Sequence, residues 1–479
     1  MMKRNLLSLN IYLALAAFAG HAYAEEAAAP APADEYTFMD SVKEGKNLTS
    51  FRLRYENVSQ DGNQAGAGAN TAVALKDAHA FTLRSLIGWQ TAPYHNFSFG
   101  AQLIDVSKLN DNFNDSTPLN GIFSPAANQN DKVAYAKVVD PDYTGVNQLY
   151  VDWTGIKNTK FRLGRQAINL DNVRFIGDIG FRQVMQVFDG VSVLNKSIPD
   201  TEVYLAHYEA VRQINTKLRS EGALEVANIR YRISGTEFLV GYGYLSSFTN
   251  LGLGNAWFGG GALNNNGKPN INADQGNKTF GLRLDGIHAF NPNFRALYTA
   301  EYAKQTDYSG GDSRIDADYY KIGGGLGFDN LNIRIDQELL GSNDGKYAFQ
   351  TPFGTNHLFQ GWVDKFLATP KEGIRDTFVT ATYRYDDFTF FADYHVFKSD
   401  DNFYTVGSGT AKNGNQYGKE WNVAATYNYS KNIMAKIEYG KYSEDDHYAA
   451  LPNTANTTAG NGGRIRDTDK LWLTAMYTF

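Results

Sequence analysis

From Asn47 to Phe479 the sequence alternates apolar and polar residues with a period of two, and it keeps that period to its last residue. Such alternation puts successive side chains on opposite faces of a strand. Phe51, Leu53 and Tyr55 alternate with Arg52, Arg54 and Glu56, and Phe81, Leu83, Ser85, Ile87 and Trp89 alternate with Thr82, Arg84, Leu86 and Gly88. Phe97, Phe99, Ala101 and Leu103 alternate with Ser98, Gly100 and Gln102, and Leu149, Val151 and Trp153 with Gln148, Tyr150 and Asp152. Further runs cover 158–167, 186–196, 201–211, 222–233, 236–248, 277–289, 293–305, 316–328, 330–340, 373–385, 387–399, 417–430, 433–443 and 469–479. This makes about eighteen strands, mostly of about ten residues or more, the length a tilted strand needs to cross a bilayer.

The links between these strands alternate in length. Short ones lie at 91–94, 157, 197–200, 234–235, 291–292, 329–330, 386–387 and 431–432; long ones at 58–75, 110–144, 168–185, 212–221, 249–276, 306–315, 341–372, 400–416 and 444–468. Outer-membrane barrels have this asymmetry, with tight periplasmic turns and long extracellular loops. A soluble sandwich or propeller has no reason to gather every long loop on one face. The predicted fold is all-β, a transmembrane antiparallel β-barrel. Mean hydropathy of −0.41 does not oppose this, because barrel strands hide lipid-facing residues behind polar neighbours. Frequent Tyr, Phe and Gly with only 12 Pro suit long strands joined by turns.

The N-terminus sets the compartment. Lys3 and Arg4 precede an apolar stretch from Leu6 to Ala19, and Ala22-Tyr23-Ala24 is an A-x-A cleavage site. Residues 1–24 are read as a secretory signal peptide, 25–46 as a flexible N-terminal segment in which FMDSVKEGK can form a helical turn, and 47–479 as the barrel. The expected location is the bacterial outer membrane. No later run of 18 apolar residues offers a membrane helix. The final strand, DKLWLTAMYTF, ends in Phe like the segments by which barrel-assembly machinery selects its substrates, and Tyr427, Tyr429, Tyr439 and Tyr442 suit an interfacial girdle.

If Phe, Leu, Val and Tyr face lipid, their neighbours face the lumen. The inward basic candidates are Arg52, Arg54, Arg84, Arg162, Arg230, Arg232, Arg283, Arg295, Lys321, Arg334, Arg384 and Lys436. The acidic ones are Glu56, Asp152, Asp285, Glu301, Asp336, Glu338, Asp376, Asp393 and Glu438. The wall is thus mixed and slightly basic although the chain carries a net charge of −6. Arg dominates, and its fork binds carboxylates bidentately, whether they belong to the wall or to a passing solute. Between two strands, Lys157 to Asp189 carries Arg165, Arg174 and Arg182 among Gly and Asp, and is read as a loop folded into the pore mouth. Arg165 is in phase with Phe161 and Leu163. An inward aim requires a bulge near Gly164; otherwise Arg165 lies above the membrane.

Other chemistry finds no pattern. Cys is absent, which excludes disulfides and thiolate metal sites. There is no H-E-x-x-H, no G-x-S-x-G elbow and no basic, aromatic-interleaved patch, so no catalytic residues, metal, cofactor or nucleic-acid partner are expected. Acidic loop clusters such as Asn110–Asp115 lack EF-hand order.

With those residues in view, the chain resembles the alginate-export family of outer-membrane porins. The resemblance rests on VKEGK with FRLRYENV (Val42 to Val58), KFRLGRQAINLDNVRFIGDIGFRQVMQVFDGVSV (Lys160 to Val193), NHLFQGWVDKFLATPKEGIRD (Asn356 to Asp376) and the closing strand. It implies an eighteen-stranded monomer with an arginine-lined lumen for anionic polyuronates. Carried over by position, it assigns the substrate path to Arg165, Arg174, Asp178, Arg182, Asp189, Asp364, Lys365 and Arg375, beside the wall residues Arg52, Arg54, Arg84, Arg162, Arg295, Glu301, Arg334 and Arg384. Secretion-type members carry a long periplasmic loop between strands sixteen and seventeen, where this chain has only about 430–432. Uptake or diffusion of smaller anionic solutes therefore stands beside export. The expected function is passive diffusion of anionic or polar solutes, uronate-type saccharides among them. The expected partners are outer-membrane lipid and lipopolysaccharide, the barrel-assembly machinery and an anionic oligosaccharide or small polar solute. The alternatives are a receptor or adhesin acting through its loops and, third, an outer-membrane hydrolase.

Overall fold

Eighteen long strands close into one antiparallel barrel in the computed structural model, which describes residues 36–61, 74–115, 132–251, 274–404, 412–445 and 467–479. The strands are β1 (Ser50–Gln60), β2 (Ala78–Gln90), β3 (Phe97–Lys108), β4 (Tyr143–Trp153), β5 (Thr159–Gln166), β6 (Val187–Asn195), β7 (Thr201–Arg212), β8 (Leu224–Ser234) and β9 (Glu237–Ser246). They continue with β10 (Asn277–Asn291), β11 (Phe294–Asp307), β12 (Asp316–Phe328), β13 (Leu331–Leu340), β14 (Ile374–Tyr385), β15 (Phe388–Tyr404), β16 (Lys412–Asn428), β17 (Ile433–Glu444) and β18 (Thr468–Thr478). Each pairs with its sequence neighbours, and β18 returns to β1 in a register running from Ser50 opposite Thr478 to Gln60 opposite Thr468. Closure leaves no sheet edge, the condition for strands in a hydrocarbon medium. The predicted signal peptide lies outside the described residues.

The alternation read from the sequence is the alternation of the wall. On β1, Arg52, Arg54 and Glu56 are buried toward the interior while Leu53 is exposed. Leu163 and Ile322, on the outer face, are 64% and 60% exposed. Near the short turns the outward residues are aromatic and touch across strands. Phe290, Phe294 and Phe328 stack at 5.2 and 5.0 Å, Phe388 and Tyr427 at 4.6 Å, and the terminal Phe479 meets Phe51 at 6.1 Å. This is an interfacial girdle. Tyr442, assigned to it from the sequence, instead points inward, is fully buried and donates its hydroxyl to the Tyr417 carbonyl. It stands opposite Glu420, whose face is the lumen face.

Residues before the barrel form a one-turn helix, α1 (Phe38–Lys43), with a capping box between Thr37 and Asp40. Trp89 Nε1 donates to the Val42 carbonyl at 2.7 Å, which pins α1 to the outer side of β2.

A positive charge at the lipid midplane has no partner there. Ile322→Arg, in the middle of β12, is expected to destabilise the barrel by about 2–4 kcal/mol, and Tyr385→Arg, at the girdle, by ~0–1 kcal/mol. Urea unfolding in lipid vesicles measures both.

Candidate functional site

Two long loops fold inward rather than away from the barrel. One, residues 167–186, joins β5 to β6; the other, 341–373, joins β13 to β14. They pair as short parallel backbone: Gly177 N donates to the Phe353 carbonyl and Thr355 N to the Val173 carbonyl, both at 2.9 Å. Gln186 Nε2 reaches the carbonyls of Gly177 and Phe353 at 2.9 and 3.0 Å. Phe175 packs on Tyr242, Tyr244, Tyr319 and Phe349, so the loops' apolar sides join the inner wall in one core. Val173 (φ +60) and Ile179 (φ +49) hold left-handed backbone, which β-branched residues rarely adopt. Each costs of order 1–3 kcal/mol and persists only where the surroundings over-determine it.

Arginines supply that determination. Arg52 donates to the carbonyls of Gly180 and Arg182 and to Gln183 Oε1 at 2.5–2.9 Å. Arg54 donates to the Phe181 carbonyl at 2.6 Å and lies 4.2 Å over the Phe181 ring. Arg84 reaches the Gly180 carbonyl at 3.5 Å. Three wall cations thus hold one run of loop carbonyls, groups that would otherwise be buried without donors. Asp178 turns the same segment, accepting from Gly180 N at 2.8 Å and Asn169 Nδ2 at 3.0 Å.

Two carboxylate hubs complete the clamp. Arg174, 1% exposed, lies 2.9 Å from Glu338 on β13 and donates to Gln360 at 2.9 Å, with Gln360 in turn bonded to Glu338. Arg182 bridges Glu56 of β1 and Asp364 of the second loop, each at 2.9 Å. Asp364 also receives Lys470 of β18 at 2.9 Å and His357 at 2.7 Å, while Phe181 stacks on the His357 ring. These three cationic or hydrogen-bonding partners hold the Asp364 carboxyl well below its usual range despite burial. Next to it, burial and the nearby Lys470 ammonium push Lys365 down to about 7.

The sequence-derived path therefore divides. Arg174, Arg182, Arg52, Arg54, Arg84, Asp178 and Asp364 are inside the barrel as braces of the loops. Arg162 faces the lumen, forked onto Asp152 at 2.6 and 2.8 Å and lying 3.5 Å from the Tyr150 ring centre. Arg334 forks onto Asp336 at 2.6 Å, and Glu301 accepts from Tyr242 at 2.9 Å. Arg295 turns toward the short-turn end, where its donors meet Asn332 and the Asp329 carbonyl; Arg384, exposed, shares that end. Lys365 touches Gln60 at 3.3 Å.

Arg165, Asp189 and Arg375 take outward register positions. Arg165 stands opposite Leu149, on the outward face, with no register shift at Gly164, and forks onto Asp189 at 2.7 Å. The bulge in this region falls instead between Asp189 and Gly190 against β7, so it does not turn Arg165 inward. Arg375 lies opposite the exposed Lys398 and pairs with Asp400 at 2.9 Å. His357 and Lys470 were missed. Lys470 is legible, because it alternates with Leu471; the role of His357 depends on which loops meet.

Removing the Asp364 carboxylate strands buried cations. Asp364→Ala is expected to cost about 3–5 kcal/mol and to open the clamped loops to trypsin at Arg182 and Lys365, read by fragment mapping. The depressed Lys365 pKa makes a second prediction. Between pH 7 and 10 the unfolded chain holds a proton on Lys365 that the folded chain lacks, so stability rises with pH there. In Lys365→Met that increment disappears, seen as a wild-type-minus-variant difference that changes across pH 7–10 and is flat below pH 6.

The sequence profile of the family described as Alginate export matches residues 49–231. No curated protein sequence matches the chain. Among solved structures, Pseudomonas aeruginosa OpdQ superposes with a TM-score of 0.60 at 14% identity, covering 92% of this chain and 99% of that one. Acinetobacter baumannii OccAB4 gives 0.61 at 12%, covering 91% and 98%. Pseudomonas aeruginosa OpdK, solved with vanillate, gives 0.58 at 12%, covering 91% and 98%. At such identities the likeness is one of fold. The chain is a closed eighteen-strand β-barrel with the fold of these outer-membrane channels, and its residues 49–231 match the alginate-export family profile.

Proposed function

We propose that this barrel is a non-enzymatic channel for passive diffusion of anionic or polar solutes, with carboxylated saccharides of the uronate type as the favoured class. One observation carries the reading: the water-facing surplus of charge on the inner wall is positive. Lys321, Arg230, Arg232 and Arg384 take inward register positions, and among the described residues none has a carboxylate within 4.0 Å. The inward carboxylates are mostly matched: Asp152 by Arg162, Asp336 by Arg334, Asp376 by His395 and Glu438 by Lys436. Glu301 and Glu420 are buried on a hydroxyl and a backbone amide, and Asp171 accepts from Asn228. An anion entering this lumen meets cations that are not already neutralised.

The family match supports a polyuronate-related substrate, and vanillate in OpdK is a carboxylate too. The link between β16 and β17 spans only residues 429–432, which favours small solutes moving by diffusion over delivery of a polymer by a periplasmic machine. The receptor or adhesin reading depends on 62–73, 116–131, 252–273, 405–411 and 446–466, which lie outside the described residues.

Planar-bilayer recording under a salt gradient tests the channel. The expected reversal potential is anion-selective. A unit charge at about 4 Å in water is worth about 1 kcal/mol, so Lys321→Gln and Arg384→Gln are each expected to lower the anion-to-cation permeability ratio by up to about fivefold. Arg165→Ala, on the outward face, leaves the ratio unchanged. Absence of conductance in every salt, or cation selectivity, overturns the reading.

A further inference from the structure

Apart from the clamped loops, a recess of about 260 Å³ opens at the short-turn end of the barrel, between the β6–β7 turn and the ends of β8 and β9. Lys196, Arg230, Arg232, Phe238, Asp200 and Glu202 line it. Arg230 lies opposite Glu202 across the β7–β8 ladder and opposite Val240 across β8–β9; Arg232 lies opposite Phe238. Arg230, Arg232, Glu202 and Phe238 therefore share the lumen face at the short-turn end, beside Lys196 and Asp200 of the turn.

We propose that this recess binds a small hydroxylated carboxylate of the sugar-acid type. Lys196 is already paired with Glu202 at 2.5 Å, so the lysine is not the free anion receptor. The two arginines are. Arg230 lies 3.7 Å over the centre of the Phe238 ring, and Arg232 lies 5.9 Å from the same centre. That contact uses the face of the Arg230 guanidinium, and a guanidinium's N–H edge remains available for a forked bond to a carboxylate. Both guanidinium groups lie near one ring, which gathers their charge at the same recess. The remaining lining accepts rather than donates: Asp200 and Glu202 are placed for ligand hydroxyls, and Phe238 offers an apolar edge to a ring face. A simple inorganic anion would have no use for those acceptors, and a neutral sugar none for the arginines. The volume falls below that of drug-sized pockets and suits one monosaccharide unit. The site deepens the anion-channel reading, and rests on it only for the supply of ligand.

The test uses the full-length barrel in detergent, titrated with sodium glucuronate by calorimetry. Saturable binding is expected, with glucose at least about tenfold weaker. Arg230→Gln with Arg232→Gln is expected to weaken glucuronate about tenfold or more, while Arg165→Ala, on the outward face, leaves it unchanged. Arg230→Lys keeps the charge but not the fork, and is expected to fall between. Retained heat-modifiable migration on gels shows each variant folded. Equal affinity for glucose, or glucuronate binding unaffected by the double substitution, overturns the site. A conducting, anion-selective barrel that does not bind glucuronate at Arg230 and Arg232 overturns the site and leaves the channel standing. A barrel that binds it without conducting does the reverse.

Discussion

Lipid offers a backbone no hydrogen-bond partner, and this one constraint orders the rest of the molecule. Each strand must find both neighbours, and the β18–β1 register supplies the last of them. Once the ring is closed, a side chain has two destinations, hydrocarbon or lumen, and the alternation of the sequence follows from that choice. The girdle of Phe and Tyr marks where the hydrocarbon ends. The charged inner wall is possible because eighteen strands enclose more space than their own side chains fill.

That space is filled by chain. The loops at 167–186 and 341–373 meet inside it and are held by wall cations on their carbonyls and carboxylates. Most buried arginines are therefore structural, and their contribution is to specify one position for the loops. A buried ion pair adds little net stability over apolar packing, but breaking one side of it is costly, so such a network resists alternative arrangements. The strained backbone at Val173 and Ile179 is tolerated within that network. If the barrel conducts anions as proposed, selectivity falls to the few cations that the wall leaves unmatched.

Strand positions, the alternating link lengths and the inward or outward aim of most wall residues were legible because they follow from a local period of two. Even Arg165 obeyed it: its phase with Phe161 and Leu163 is the phase of the structure, and the resemblance that carried it into the pore was the weaker guide. What the period could not give was the partner of each inward charge. Arg174 meets Glu338, and Arg182 meets Asp364, across separations of 164 and 182 positions. Those meetings depend on how two irregular loops pack, which has no sequence period. Tyr442 shows the same limit, because aromatic identity suggested the girdle while its place opposite Glu420 turned it inward.

The seam between β1 and β18 also governs how the chain can reach this state. Arg54 and Thr474 share a hydrogen bond although 420 positions separate them. The first strand waits for the last, so an early-made edge stays unpaired until the whole chain has been delivered. Contacts of such range slow folding, because the entropy of closing the loop precedes any gain from it. A chain with this seam has to be kept from pairing with other chains on its way to the membrane, and its final step is a zipper between its two ends.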